Sequence, residues 1–419
     1  MVFAIYQLLY LVLSPIILLF LLSRKDTRKR IKHMFGLFEE ENKQAFPDKN
    51  TLWIHAVSFG EAKIALEFLK QGIQSNQVPK SICFTTTIED AMIWFQQESK
   101  TLLSTHKIYY YFLPLDFYPI ISSFIKKIKA KSLYICETDF WPATLRVCKS
   151  SQIPCYLVNG RISKSLSSNF RKIQKSSIET LLAIEMAFVQ YPSDKDKLAG
   201  LIKLDKIFVH GNAKFDLLKR GVLNGKYQSL KSNSRQVCIL GSFHPDEYQY
   251  FTDSFKKFHE KILFVIVPRN LNTIPKLITI LKKNKLSFSL SSKIEQLKIN
   301  ENILIIDEMG VLSHLYQYSQ ISVVGGTFNQ IGGHNFLEPI LYKKPVLIGP
   351  FIRNYHHDAQ EFLKLQFIWQ VKSSSEIQKF FSQYLNKPKP FIEKSLQANQ
   401  HLQKYQGVLK KTWETINLK

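Results

Sequence analysis

Apolar residues along most of this chain fall in short runs, separated by stretches in which they recur at helical spacing. Alternation of that kind predicts βα units built on parallel sheets. In the first half the runs Leu52–Val57, Ser81–Thr86, Ile108–Leu113, Ser132–Cys136, Cys155–Val158, Ala187–Gln190 and Lys206–His210 predict strands. Amphipathic stretches at Glu61–Gln71 and Tyr118–Ile128 predict helices between them. A polar, aperiodic stretch at 221–235 reads as a linker. The alternation then restarts, with strands expected at Val237–Gly241, Ile262–Val267, Ser287–Leu290, Ile303–Asp307, Ile321–Gly325 and Pro345–Ile348. Helices are expected at Pro245–His259, Thr273–Lys283, Val311–Tyr318, Asn335–Tyr342 and His357–Leu365, and again after Pro390. The fold class is therefore α/β, with two Rossmann-like doubly wound domains at 51–220 and 236–389 and a helical segment at 390–419. Ligands of such domains are expected in a cleft between them, near the carboxyl ends of the strands.

Residues 2–22 break the pattern, being almost wholly apolar and free of charge, with interruptions only at Gln7, Ser14 and Pro15. About 20 apolar residues suffice to cross a membrane. A basic run follows at Arg24, Lys25, Arg28, Lys29, Arg30 and Lys32. A cleaved signal carries its charge before the apolar run and ends in small residues, and neither holds here. Residues 1–22 are thus expected to be a retained anchor helix and 23–50 a basic juxtamembrane segment, with the rest of the chain cytoplasmic. Pro15 also allows a shallow insertion into one leaflet. The formal charge of +24 favours a polyanionic partner, whether nucleic acid, anionic membrane or phosphorylated substrate, beside the plainer reading of a solubilising surface. Cys83, Cys136, Cys148, Cys155 and Cys238 form no C-x-x-C pair and read as buried free thiols.

The richest candidate chemistry lies at Gly325–Pro350. A strand ends at Gly325, Gly326, Gly332 and Gly333 interrupt the loop, and a helix is expected from Asn335. Glycines let backbone approach a ligand closely, and a helix start suits a phosphate. Glu338, in the first turn, either accepts from ribose hydroxyls or caps the helix. No Gly-Lys-Ser/Thr follows, so this is not a Walker loop.

The string Gly325-Gly326-Thr327, Gly332-Gly333-His334-Asn335-Phe336-Leu337-Glu338-Pro339, Pro345 and Gly349-Pro350 resembles the 3-deoxy-D-manno-octulosonic acid (Kdo) transferase family. Further blocks match in the same order: Trp53 to Glu61, Glu137-Thr138-Asp139-Phe140-Trp141-Pro142, Asn159 to Ser163, Gly211 to Asp216, Gly241 to His244, Val267-Pro268-Arg269 and Asp307 to Gly310. The resemblance implies the two-domain GT-B fold and inverting transfer of Kdo from CMP-Kdo to the lipid A precursor (lipid IVA). It places the work at the cytoplasmic face of a bacterial inner membrane, with anionic lipids as neighbours, and without a metal or other cofactor.

The same resemblance makes Glu61 the catalytic base. It assigns Pro268, Arg269, Met309 and Gly310 to the cytidine border. From the residues themselves, Gly333, Asn335 and Glu338 join them as donor contacts. Ser242 and His244 follow another strand end, where each either approaches the phosphate or sugar as a donor contact or serves as a helix cap or supporting residue. Glu137 and Arg161 are candidates to hold sugar or acceptor and Lys214 to pair with anionic groups; a structural ion pair is the alternative for each. Asn270 stands where the family usually has histidine, and Lys32-His33-Met34-Phe35 is looser than its common arginine-rich version. Tyr109-Tyr110-Tyr111 reads as core or groove wall, and no Asp-x-Asp metal motif lies in a convincing loop. The rival readings are a GT-B enzyme using a UDP-sugar and a membrane-tethered nucleic-acid-binding module. The latter lacks any recognised signature, and no nucleic-acid partner is expected. A Rossmann dehydrogenase is disfavoured because no G-x-G-x-x-G follows the first strand.

Overall fold

The computed structural model describes residues 2–22, 28–36, 50–102, 104–221, 225–293 and 301–418. The expected basic run at Arg24 and Lys25, all of 37–49, and part of the expected linker at 222–224 lie outside the described residues. The chain divides into two compact units, 1–217 with 405–419, and 218–404.

Unit 1 is built on seven strands: β1 (Thr51–His55), β2 (Ser81–Thr86), β3 (Lys107–Phe112), β4 (Ala130–Cys136), β5 (Cys155–Gly160), β6 (Ile184–Val189) and β7 (Ile207–Val209). Their order in the sheet is β3-β2-β1-β4-β5-β6-β7, with every pairing parallel. Strands covered by helices on both faces need continuous apolar runs, and β1 is accordingly buried at all five positions. Tyr109 and Tyr111 of β3 are buried in the core. The last turns of the chain complete this unit: Trp413 donates its indole N–H to the Phe68 carbonyl at 2.7 Å and stacks on the Phe68 ring at 4.4 Å.

Unit 2 carries β8 (Gln236–Phe243), β9 (Ile262–Pro268), β10 (Phe288–Leu290), β11 (Ile303–Ile305), β12 (Ile321–Val324), β13 (Val346–Ile348) and β14 (Trp369–Gln370). Their order is β10-β11-β9-β8-β12-β13-β14, again all parallel. The segment 221–235, expected as a linker, contains a short 3₁₀ helix, Lys226–Ser232, whose Tyr227 and Leu230 are buried against this core.

Two expectations change. The N-terminal helix runs Val2–Leu22, but among the described residues no helix is long and apolar enough to cross a membrane. Its first half is docked on unit 1: Tyr6 donates to Asp116 Oδ2 at 2.8 Å, and Gln7 bonds both the Asp116 carbonyl and the Tyr118 N–H. The helix after the glycine loop is also shorter than the spacing predicts, covering only Leu337–Leu341. Asn335 and Phe336 precede it, with the Asn335 side chain accepting from the Leu337 N–H at 3.1 Å. All five cysteines are buried and unbonded to one another.

Candidate functional site

In a doubly wound sheet, ligands gather where strand order reverses, outside the carboxyl ends of the strands. Unit 1 reverses between β1 and β4, and unit 2 between β8 and β12. Most of the predicted site residues lie near these two points, while Arg161 follows β5 and Met309 and Gly310 follow β11.

In unit 1 the chain leaves β1 at His55 and enters the helix Phe59–Gln74 with Ser58 as its N-cap. Ser58 Oγ accepts from the Glu61 N–H at 3.2 Å and donates to Glu61 Oε1 at 2.9 Å. Glu61 Oε2 accepts from the Val57 N–H at 2.8 Å. This reciprocal capping fixes the carboxylate at the strand–helix turn. Capping and base chemistry are compatible here. Burial raises the Glu61 pKa above the usual glutamate range, opposed by the Val57 and Ser58 hydrogen bonds and assisted by the charge of Glu137. A base whose proton affinity is raised is better matched to its task.

Across the reversal, β4 ends at Cys136, and Glu137 follows with a φ of +63°. Left-handed backbone at a non-glycine residue is uncommon and costly, and here it aims a carboxylate. Lys214 Nζ lies 3.6 Å from Glu137 Oε1, and the Asn159 amide donates to the same oxygen at 3.4 Å. Asn159, itself at a φ of +57°, accepts from the Ala213 N–H at 2.8 Å and so carries the Lys214 segment to this point. Glu61, Glu137 and Lys214 are thus brought together in one charged cluster. Arg161 is exposed just beyond β5 and makes no hydrogen bond or ion pair among the described residues.

In unit 2 the loop from Gly325 lies against the end of β8. A Cβ on Gly325 would collide with the Ser242 and Phe243 backbone, so only glycine permits this approach. Ser242 has a φ of +54° and Gly333 a φ of +89°. Arg269, exposed after the buried Pro268, donates its backbone N–H to the Phe243 carbonyl at 3.0 Å. His244 and His334 stack with their Nε2 atoms 2.8 Å apart. Burial, and then the Arg269 charge and His244, push His334 down to about 4, so this pair is neutral near pH 7. Asn335 Nδ2 donates to Glu338 Oε1 at 3.1 Å, which orients that carboxylate from within the short helix.

Glu247, which the motifs did not single out, holds the loop in place. It is fully buried and accepts from the N–H groups of His244, Gly326 and Phe328 at 2.9, 3.0 and 3.0 Å. Burial pushes its pKa up to about 7, against the pull of those three bonds. On the β11 side, Asp307 accepts from Ser291 and the Ser292 N–H, while Tyr227 donates to Glu308 at 2.9 Å. Those anchors leave Met309 and Gly310 exposed, Gly310 with a φ of +84°. Among the described residues no cluster of three or more histidine, cysteine or carboxylate side chains is arranged to hold a metal.

Residues 29–217 match the model of the family described as 3-deoxy-D-manno-octulosonic-acid transferase (kdotransferase). The chain is 29% identical over 383 residues to a 3-deoxy-D-manno-octulosonic acid transferase of Haemophilus influenzae, covering 88% of this chain and 87% of that one. It is 30% identical over 368 residues to a bifunctional glycosyltransferase/methyltransferase of Fusobacterium nucleatum, covering 85% of this chain but spanning only 56% of that longer protein. In fold, a UDP-GlcNAc 2-epimerase of Neisseria meningitidis bound to UDP-GlcNAc superposes with a TM-score of 0.59 at 14% identity, covering 88% of this chain and all of that one. The paired parallel α/β units resemble those of GT-B glycosyltransferases, and over residues 29–217 the chain matches the Kdo transferase family of glycosyltransferases.

Proposed function

We propose that the protein transfers Kdo from CMP-Kdo to the phosphorylated lipid A precursor, lipid IVA, with inversion at the anomeric carbon. The observation that carries this reading is the placement of Glu61 at the reversal point of unit 1 and of Arg269, His244 and the Gly325–Gly333 loop at that of unit 2. Unit 1 supplies the base. Glu61 takes the proton of the acceptor hydroxyl, whose oxygen forms the new bond to the anomeric carbon as the bond to the CMP phosphate breaks. The electron pair leaves with CMP. Unit 2 supplies the donor site, where Arg269 offsets the phosphate charge. Pro268, Met309 and Gly310 border the cytidine, and Ser242, Gly333, Asn335 and Glu338 contact the nucleotide sugar. Glu137, Lys214 and Arg161 meet the sugar or acceptor on the unit 1 side.

The protein works at the inner membrane's cytoplasmic face. Ile5, Leu8, Leu9 and Val12 are exposed on the N-terminal helix, whose Tyr6 and Gln7 side chains bond Asp116 and Tyr118, so the helix lies in the interface with its apolar side in the lipid. The basic excess draws both anionic lipid and the phosphorylated acceptor. Glu61→Gln is expected to lower kcat by roughly 10²–10⁴-fold while CMP-Kdo still binds. Turnover at the wild-type rate removes Glu61 from this role.

A further inference from the structure

A small, partly open pocket lies beside the unit 1 cluster, lined by Trp53, His55, Asp139, Trp141 and Thr144 among others. Its open core of about 10 Å³ is on the scale of one water molecule. Three buried polar atoms around it lack a hydrogen-bond partner: His55 Nε2, Asp139 Oδ2 and Trp141 Nε1. His55 is 2% exposed, and its Nε2 lies 3.9 Å from Asp139 Oδ2, beyond hydrogen-bond reach. Orphaned buried polar atoms are rare and call for a partner.

The donor and acceptor inventory names that partner. His55 Nδ1 faces the carbonyl and hydroxyl of Thr85 at 3.1 and 2.9 Å. With the ring proton donated to that carbonyl, Nε2 carries a lone pair and requires a donor. A carboxylate cannot supply one. Trp141 Nε1–H is a donor only, and Asp139 accepts. A single water satisfies all three, accepting from Trp141 and donating one proton to His55 Nε2 and the other to Asp139 Oδ2.

Burial, and then the charges of Glu61 and Glu137, push Asp139 up to about 7. Cys136 and the Glu137–Lys214 pair are the remaining titratable groups beside it. We propose that Asp139 is a positioning residue for the transfer, pinned near Glu61 by a water shared with His55 and Trp141, so that its negative charge strengthens the base. The idea rests on Glu61 being that base. Below pH 7 Asp139 keeps its proton. As the pH rises through 7 Asp139 ionises, and its charge increases the affinity of Glu61 for the proton it takes from the acceptor.

The test is the pH profile of kcat for the wild type, Asp139→Asn and Trp141→Phe, alongside Glu61→Gln. The wild type is expected to show a second rise near pH 7 that Asp139→Asn lacks, with its plateau lower and the KM for CMP-Kdo unchanged. Trp141→Phe removes one donor to the water, and is expected to move that second rise to higher pH. Carbon-13 NMR of the Asp139 carboxyl follows the same titration without turnover and serves if Asp139→Asn does not fold. A wild-type profile superimposable on that of Asp139→Asn, with kcat of Glu61→Gln lowered as expected, overturns this proposal and leaves the base in place. Turnover by Glu61→Gln at the wild-type rate overturns the base itself. A high-resolution crystal structure without density among the three atoms removes the water.

Discussion

At the scale of single residues, the candidate site is governed by where burial and backbone N–H groups compete for a carboxylate. Glu247 is the plainest case, since three N–H donors of the glycine loop end on one buried side chain. Glu247→Gln puts an amide N–H₂ against one of those donors, and is expected to cost about 1–3 kcal/mol in urea unfolding and to weaken CMP-Kdo binding. Asp139 gives a prediction about pH. Its pKa in the folded chain is raised from 3.8 to about 7. The stability it contributes is therefore complete below its ordinary value and lost as the pH rises through 7. The wild type is expected to lose stability relative to Asp139→Asn between pH 4 and pH 8, read from paired denaturant titrations. Equal pH dependence in the two proteins contradicts this. Arg269→Ala is expected to weaken CMP-Kdo binding by about 1.5–3 kcal/mol, measured by calorimetry. Much of this residue-level picture was legible, because Glu61, Glu137, Arg269 and Ser242 stand in motifs at strand ends. His55, Asp139, Trp141 and Glu247 were not singled out, although motif blocks contain the first three. Their significance lies in which atoms meet across β1 and β4 or around one loop, and spacing along the chain does not encode that.

At the scale of elements, strand positions followed closely from the apolar runs. β2 and the helix Tyr118–Ile128 coincide with the expected bounds, and the long buried strands β8 and β9 differ only at their ends. The two-residue β14 and the helix Ser374–Asn386 went unread. The first is too short for any periodicity and exists by its pairing with β13. The second had a readable signal: Ser373 accepts from the Glu376 N–H while Glu376 reaches back to the Lys372 N–H, a capping box spelled in the sequence. The short helix Leu337–Leu341 shows the opposite error, an apolar pattern extended past its stop. Tyr342 and Lys343 turn the chain there, with Lys343 at a φ of +60°. The C-terminal helix Val408–Asn417 is held by Asp216, which accepts from the Gly407 and Leu409 N–H groups at 2.6 and 2.7 Å, and by Trp413 on Phe68. Trp413→Ala is expected to destabilise unit 1 by about 3–5 kcal/mol in urea unfolding. A loss below about 1 kcal/mol contradicts this packing role.

At the scale of the whole molecule, the apolar pattern predicts two parallel α/β units and a helical segment at 390–419, but not that 405–419 belongs to the first unit. A terminal helix carries no mark of its partner beyond its apolar stripe. The charge of +24 acts at this scale too. Binding to vesicles containing anionic lipid is expected to weaken steeply as salt rises, and Leu9→Asp with Val12→Asp is expected to weaken it at every salt concentration. Salt-independent binding, or binding unchanged in the double variant, contradicts the interfacial placement of the N-terminal helix. The central claim is the reaction itself, and the most direct test offers the purified protein a phosphorylated, tetraacylated lipid A precursor with CMP-Kdo and, in parallel, with UDP-sugars, reading the products by mass spectrometry. Addition of Kdo from CMP-Kdo alone is the predicted result. Turnover only with a UDP-sugar contradicts it.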